Sequence, residues 1–166
     1  MIFRLQSYLL FLFKSTNAHG IHSPFIYSYL TKCLYKKPRS SKDKVKDVLF
    51  KSIAHFKVQK INVIGNKALQ NELKMRYPSL LFETCSIDLL YVEDALQLMP
   101  DIHLISNKVH NDSLIMIDGI YNGPKYLKQW RRLCQNPMIT ASIDFYHCGV
   151  LFVRKEQVKE HFSIRI

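Results

Sequence analysis

The sequence predicts an α/β fold: a mostly parallel sheet, a carboxy-terminal antiparallel hairpin and accessory helices at the amino end. Three observations carry this prediction. From Lys60 onward, short apolar runs alternate with helical stretches, as in strands joined by crossover helices. Near the end, Met138 to Tyr146 and Val150 to Val153 flank His147-Cys148-Gly149, a connection short enough for a hairpin. Before residue 58, apolar residues recur at helical spacing. Two regions are therefore expected, a helical segment at 1–58 packed on the core and an α/β core at 59–166.

Composition narrows the class. A chain of 166 residues has the length of one domain, and 48% hydrophobic with 22% charged residues excludes global disorder. Five Gly and six Pro exclude collagenous or low-complexity architecture. No apolar run approaches the ~20 residues that span a bilayer, so no transmembrane segment is expected and the cytoplasm is the expected compartment. Cys33, Cys85, Cys134 and Cys148 form no C-x-x-C pair, which points to reduced thiols rather than a zinc site.

The first fourteen residues, MIFRLQSYLLFLFK, lack a small-x-small cleavage site and read as an amphipathic helix packing on the body. Attachment to a membrane surface through Phe3, Leu10, Phe11 and Phe13 is the alternative. A second helix starts at Ser23-Pro24, where Ser23 caps free N–H groups and Pro24 suits the first helical position. Its stripe is Phe25, Ile26, Tyr29, Leu30, Cys33 and Leu34. From Lys32 to Lys60, ten Lys or Arg stand against two acids, so most of the +11 net charge lies in one segment. There Val45, Val48, Leu49, Ile53 and Phe56 share a helical face, and the lysines read as its solvated side.

Ile61 to Ile64 then reads as a strand ending at Gly65-Asn66, and Lys67 to Tyr77 as a helix closed by Pro78. Leu80 to Thr84 and Ile87 to Val92 are extended runs, and Ala95 to Ser106 is helical but interrupted at Pro100. Leu114 to Ile117 is a strand introduced by the polar turn Asn111-Asp112-Ser113, and Pro124 to Cys134 a helix. Only Cys85 and Ser86 separate the two runs that should flank the first strand on opposite sides. A parallel crossover takes about a dozen residues, so Leu80–Thr84 is expected either to lie outside the sheet or to belong to a rebuilt one.

Two long strings carry a resemblance. Phe11-Leu12-Phe13-Lys14-Ser15-Thr16-Asn17-Ala18-His19-Gly20-Ile21-His22-Ser23-Pro24-Phe25 and the tail from Gly149 through Leu151-Phe152-Val153-Arg154-Lys155-Glu156-Gln157 to Glu160-His161-Phe162 resemble the opening and ending of S-adenosylmethionine-dependent methyltransferase-like proteins of Bacteroidetes-type bacteria. Ile87-Asp88-Leu89-Leu90-Tyr91 and His110-Asn111-Asp112-Ser113 are similar to two internal strand starts of that family. The resemblance implies a Rossmann-like class I methyltransferase fold in reduced form. It implies S-adenosylmethionine as cofactor, touched by Gly65 and Glu83, with Glu93 and Asp118 facing the substrate.

The departures from the family pattern fall on the cofactor side. The family runs Glu-Leu-Gly, three residues, then Gly, whereas this chain has Val63-Ile64-Gly65, Asn66-Lys67-Ala68, then Leu69. Relatives carry Asp-Gly and Asp-Asp where this chain has Glu93-Asp94 and Asp118-Gly119. The expected function is therefore membership of the methyltransferase family with impaired or lost cofactor binding. The alternative is a non-catalytic binding domain on the same scaffold, meeting nucleic acid or another anionic surface through its basic 32–60 segment. His19 and His22 make only half a metal site, and no metal is expected. Adjacent strand residues point to opposite faces, so His147 and Cys148 are not expected to act together. Tyr121, Tyr126 and Trp130 are expected in helical core, with a cleft lining as the alternative.

Overall fold

The computed structural model describes residues 2–98 and 106–166. Lys60–Ile64 (β1), Leu81–Phe82 (β2), Ile87–Val92 (β3), Val109–Asp118 (β4), Ala141–Asp144 (β5), Cys148–Phe152 (β6) and Glu160–Ser163 (β7) form one sheet. Their order is β2-β1-β3-β4-β6-β5-β7. Strand β6 is antiparallel to β4 and β5, and every other adjacent pair is parallel. The fold is thus α/β with a mostly parallel, mixed seven-stranded sheet of a kind compatible with a Rossmann-like arrangement.

The central strands are apolar on both sides because both faces are covered. Leu89, Tyr91, Leu114 and Met116 face one core; Leu90, Val92, Ile115 and Ile117 face the other. On the first face lie α2 (Pro24–Tyr29), its continuation as a π-turn over Leu30–Leu34, α3 (Lys44–His55) and α4 (Lys67–Arg76). On the second lie the short turn Ala95–Leu98 and α5 (Pro124–Gln135). Each N-terminus on the first face has its cap, which satisfies donors the helix cannot. Ser23 Oγ accepts from Ile26 N at 3.3 Å, Asp43 from Val45 and Lys46 N at 2.8 and 3.0 Å, and Asn66 from Leu69 N at 2.8 Å. The fully buried Tyr29 hydroxyl is satisfied by Ser52 Oγ at 2.7 Å, tying α2 to α3.

The sheet departs from the expectations at four places. Leu80–Thr84 does enter the sheet, as the two-residue β2 on the side of β1 away from β3. The connection is made by Glu83 to Ser86, fewer residues than a helical crossover needs. Phe82 pairs with Ile61, and Leu89 pairs with the same residue from the other side, so little backtracking is required. Two strand spacings are about 10 Å, within reach of five residue steps at up to ~3.5 Å each. Strand β4 begins earlier than expected and absorbs the polar turn as a bulge. The Ile87↔Val109 register shifts to Leu89↔Leu114, and Ser113 Oγ takes up the extra chain by accepting from His110 N and donating to Ile87 O. Strand β5 is only four residues long, because Asn136 forms a side-chain turn with Met138 N before it and Tyr146 turns the chain at φ +69° after it. Strand β7 carries no clear apolar alternation; the sheet recruits it through Ser142 Oγ and His161 Nδ1, 2.7 Å apart. The expected interruption at Pro100 lies outside the described residues.

The basic segment also differs from a purely solvated face. Lys51 forms a 3.1 Å ion pair with the buried Asp47 and donates to the Leu34 and Lys36 carbonyls, both at 2.9 Å. Lys44 donates to Ile166 O, and Lys46 pairs with Glu72 at 2.5 Å.

The amino-terminal helix α1 (Ile2–Lys14) packs through Ser7 and Phe11, not through its broad apolar side. Of the four residues considered for membrane attachment, Phe11 is buried, whereas Leu10 and Phe13 are exposed. No helix among the described residues is long and apolar enough to cross a membrane.

Gly149 on β6 is tested by its neighbour, since a Cβ there would overlap the ring of the buried Trp130. Gly149→Ala is expected to destabilise the fold by about 1–3 kcal/mol, as overpacking against an immobile ring does. Urea unfolding measures this, and wild-type stability would contradict it.

Candidate functional site

In open parallel sheets, ligands bind beyond the carboxyl ends of the strands, where the strand order reverses. Here the reversal lies between β1 and β3, because the chain leaves β1 for β2 on one side and returns as β3 on the other. Gly65 and Asn66 end β1 there, and Glu93 and Asp94 end β3.

Gly65 turns the chain at φ +88°, a conformation that favours glycine. The Gln97 side chain lies directly against it, in the space a Cβ would take. Gln97 is exposed, and its backbone lies in the short turn Ala95–Leu98, whose start is capped by Asp94: Oδ1 accepts from Leu96 N at 2.7 Å and from Gln97 N at 3.2 Å. Asn66 Nδ2 donates to Glu93 Oε1 at 3.2 Å, and Glu93 N to Ile64 O at 3.0 Å. The crevice between β1 and β3 is therefore bridged by side chains of this chain.

Glu83 stands elsewhere. It follows Phe82, which pairs with Ile61, and its N–H donates to Asn62 Oδ1 at 2.8 Å. That places it level with the middle of β1, about 10 Å short of Gly65 along a strand rising ~3.3 Å per residue. It is exposed and held at φ +57° where the chain turns to cross β1. Gly65 and Glu93 are thus brought together, and Glu83 is not.

Asp118 ends β4, one strand beyond Glu93, and belongs to a second cluster. Tyr91 Oη donates to Asp118 Oδ2 at 2.9 Å. Burial holds the Asp118 carboxyl above its usual range, against the stabilising bonds from Tyr91 and the Gly119 N–H, and Glu93 adds a smaller repulsion. Tyr91 is pushed up by burial and by Asp118, so the proton stays on the phenol.

At the end of β5 the same motif recurs. Tyr121 Oη donates to the buried Asp144 Oδ2 at 2.6 Å, and Tyr146 N donates to Oδ1 at 2.7 Å. Burial raises the Asp144 carboxyl too. The Tyr121 and Tyr146 rings stack with centroids 4.7 Å apart. Tyr146 Oη donates to Arg4 O at 2.7 Å, and the Arg4 guanidinium donates to Asn122 Oδ1.

Arg4, Asp118, Tyr121, Asn122, Tyr146 and His147 line an open cleft of about 340 Å³. His147 is lowered by partial burial and by the Lys44 charge, which favours its neutral form. The cleft thus offers one guanidinium, a neutral imidazole, stacked phenols and a carboxyl whose proton is held more tightly than usual, a set suited to a polar, partly aromatic ligand.

Of these residues, Arg4, Tyr91, Asn122, Asp144 and Tyr146 are not among the site residues that the sequence suggests. The usable signal was an acid closing each apolar strand: Glu93 after LLYV, Asp118 after LIMI and Asp144 after ASI. Tyr121 does line a cleft, whereas Trp130 is buried core. Cys148 is buried and its thiol pushed well up, unlike a nucleophile. His19 and His22 are exposed, and no three His, Cys, Asp or Glu side chains among the described residues are grouped to hold a metal ion. No family model, curated protein or solved structure matches the chain.

The raised carboxyl of Asp118 fixes a sign. Its protonated form is held better in the folded state, so its contribution to stability is complete below the ordinary aspartate value of about 3.9 and is lost as pH rises through the higher folded value. Asp118→Asn is expected to flatten this decline in urea-unfolding free energies as pH rises above the ordinary aspartate value of about 3.9. An unchanged slope would contradict the assignment.

Proposed function

We propose that the chain is a shortened S-adenosylmethionine-dependent methyltransferase-like protein whose cofactor binding is impaired or lost, leaving the Asp118–Tyr121–Tyr146 cleft as its binding site. The observation that carries this reading is the Gln97 side chain seated against Gly65. That position at the end of β1 is where the family's Gly-rich turn would admit the methionine end of the cofactor.

Three further features support it. Val63 stands where the family carries an acid, and Leu69, buried in the core, where it carries the second glycine. Glu83 lies away from the carboxyl edge, where a ribose-binding acid would be needed. Strand β6, antiparallel between β4 and β5, is in keeping with the hairpin of class I methyltransferases. The residues at the end of β1 therefore do not fit the cofactor. The basic 32–60 segment gives less support to a nucleic-acid partner, since Lys44, Lys46 and Lys51 are each bonded within the chain.

Titration calorimetry of the folded chain with S-adenosylmethionine is expected to register no heat of binding, and the ligand is expected to leave the melting temperature unchanged. Saturable binding in the micromolar range would overturn the proposal, because it would require Gln97 to leave Gly65 at little cost.

A further inference from the structure

Helix α1 is built the wrong way round for a helix that merely covers a core. Surface helices turn their apolar stripe inward. Here the inward side carries Arg4, Ser7 and Phe11, held by the Tyr146 hydroxyl on Arg4 O, the Arg4–Asn122 bond and ring contacts of Phe11 with Tyr121 and Tyr146 at 6.5 and 5.5 Å. At 100° per residue, Leu5, Leu9, Ile2, Phe13 and Leu10 fall on the opposite arc, interrupted only by Gln6. That arc faces outward: Ile2 is 74% exposed, Leu5 63%, Leu9 48%, Leu10 61% and Phe13 88%. A contiguous apolar face of this kind marks an interaction surface.

Charge identifies the occupant. On the flank of α1 marked by Phe3, the neighbouring surface is α5, whose Lys125, Lys128, Arg131 and Arg132 share one groove with Phe3. All four cations are exposed, none forms an ion pair among the described residues, and α5 carries no acid. A second copy docking through α1 would bring two such basic ridges together, on chains each carrying a net +11. An anionic bilayer surface satisfies both features: acyl chains cover the apolar arc, and headgroups neutralise the ridge. Thirteen residues of helix span about 20 Å, too short to cross a bilayer and suited to lying in its interface.

We propose that the outer face of α1, with the basic ridge of α5 beside it, docks this protein on anionic lipid bilayers. The anchors are Ile2, Leu5, Leu9, Leu10 and Phe13. Because Arg4 and Phe11 on the inner side of the same helix bond or pack against residues of the Asp118–Tyr121–Tyr146 cleft, docking places that cleft close to the membrane surface.

Vesicle co-sedimentation of the full chain tests this. With phosphatidylcholine vesicles containing about one-third phosphatidylglycerol, the protein is expected to pellet; with phosphatidylcholine alone it is expected to stay in the supernatant. The Leu9→Glu/Phe13→Glu variant, altered only at exposed positions, is expected to lose about tenfold or more in affinity, and Lys128→Glu/Arg132→Glu to lose anionic selectivity. Far-UV circular dichroism confirms that both variants remain folded. Failure to pellet with anionic vesicles at about 0.1 M salt would overturn the proposal. So would unchanged binding by the double-glutamate variant, or a dimer in sedimentation velocity that forms through the same face and ignores vesicles.

Discussion

The return of the chain across β1 in four residues, Glu83 to Ser86, is the constraint on which the carboxyl edge of β1 and β3 depends. It works because β2 is two residues long and pairs low on β1, so the chain needs to travel sideways and hardly back. Asn62 makes the crossing possible. Its register partner is Leu90, so its side chain projects on the face opposite α4, and there it accepts the Glu83 N–H while Glu83 adopts a left-handed turn. Two consequences follow at once. The acid after β2 is drawn away from the carboxyl edge, and no helix is brought over this part of the second face between β2 and β3.

With the β1–β3 crevice bridged by Asn66–Glu93 and the Gln97 side chain lying against Gly65, the open cleft at the carboxyl edge lies toward β4 and β5. Two carboxyls there, Asp118 and Asp144, each accept a phenol. Burial penalises the charged form of both, and the tyrosine bonds offset only part of that penalty. The aromatic stack of Tyr121 and Tyr146 then serves two surfaces: one side lines the cleft, and the other seats Phe11 and Tyr8 of α1. The helix that presents the outward apolar arc is therefore anchored in the wall of the cleft.

Much of the fold was legible because it rests on local chemistry. The Ser23-Pro24 cap, the strand Ile87–Val92 and the helix from Pro124 were readable from capping residues and apolar spacing. Elements whose limits depend on partners were not legible in the sequence. Strand β5 is cut short by side-chain turns at Asn136 and Asp144, β4 is lengthened by a bulge held on Ser113, and β7 exists through its pairing with β5 despite a mostly polar sequence. The site was half legible. Gly65, Glu93 and Asp118 lie at strand ends, where apolar runs stop and polar residues begin, but Tyr91 and Tyr146 become partners of the carboxyls only across strands.

The sequence alone determined that alternating apolar runs and helices would build an α/β sheet closed by a hairpin, that most of the charge would sit in one segment, and that a single glycine, Gly65, would follow the first strand of that sheet. Those properties follow from nearest-neighbour chemistry and periodicity, which a linear chain displays. Only the tertiary structure decided that Gln97 would lie against Gly65, that Glu83 would stop level with Asn62, and that α1 would turn Ser7 and Phe11 inward and its broad apolar arc outward. Each of these is a choice between alternative partners far apart in the chain. Packing and hydrogen-bond satisfaction settle such choices after the sheet has formed.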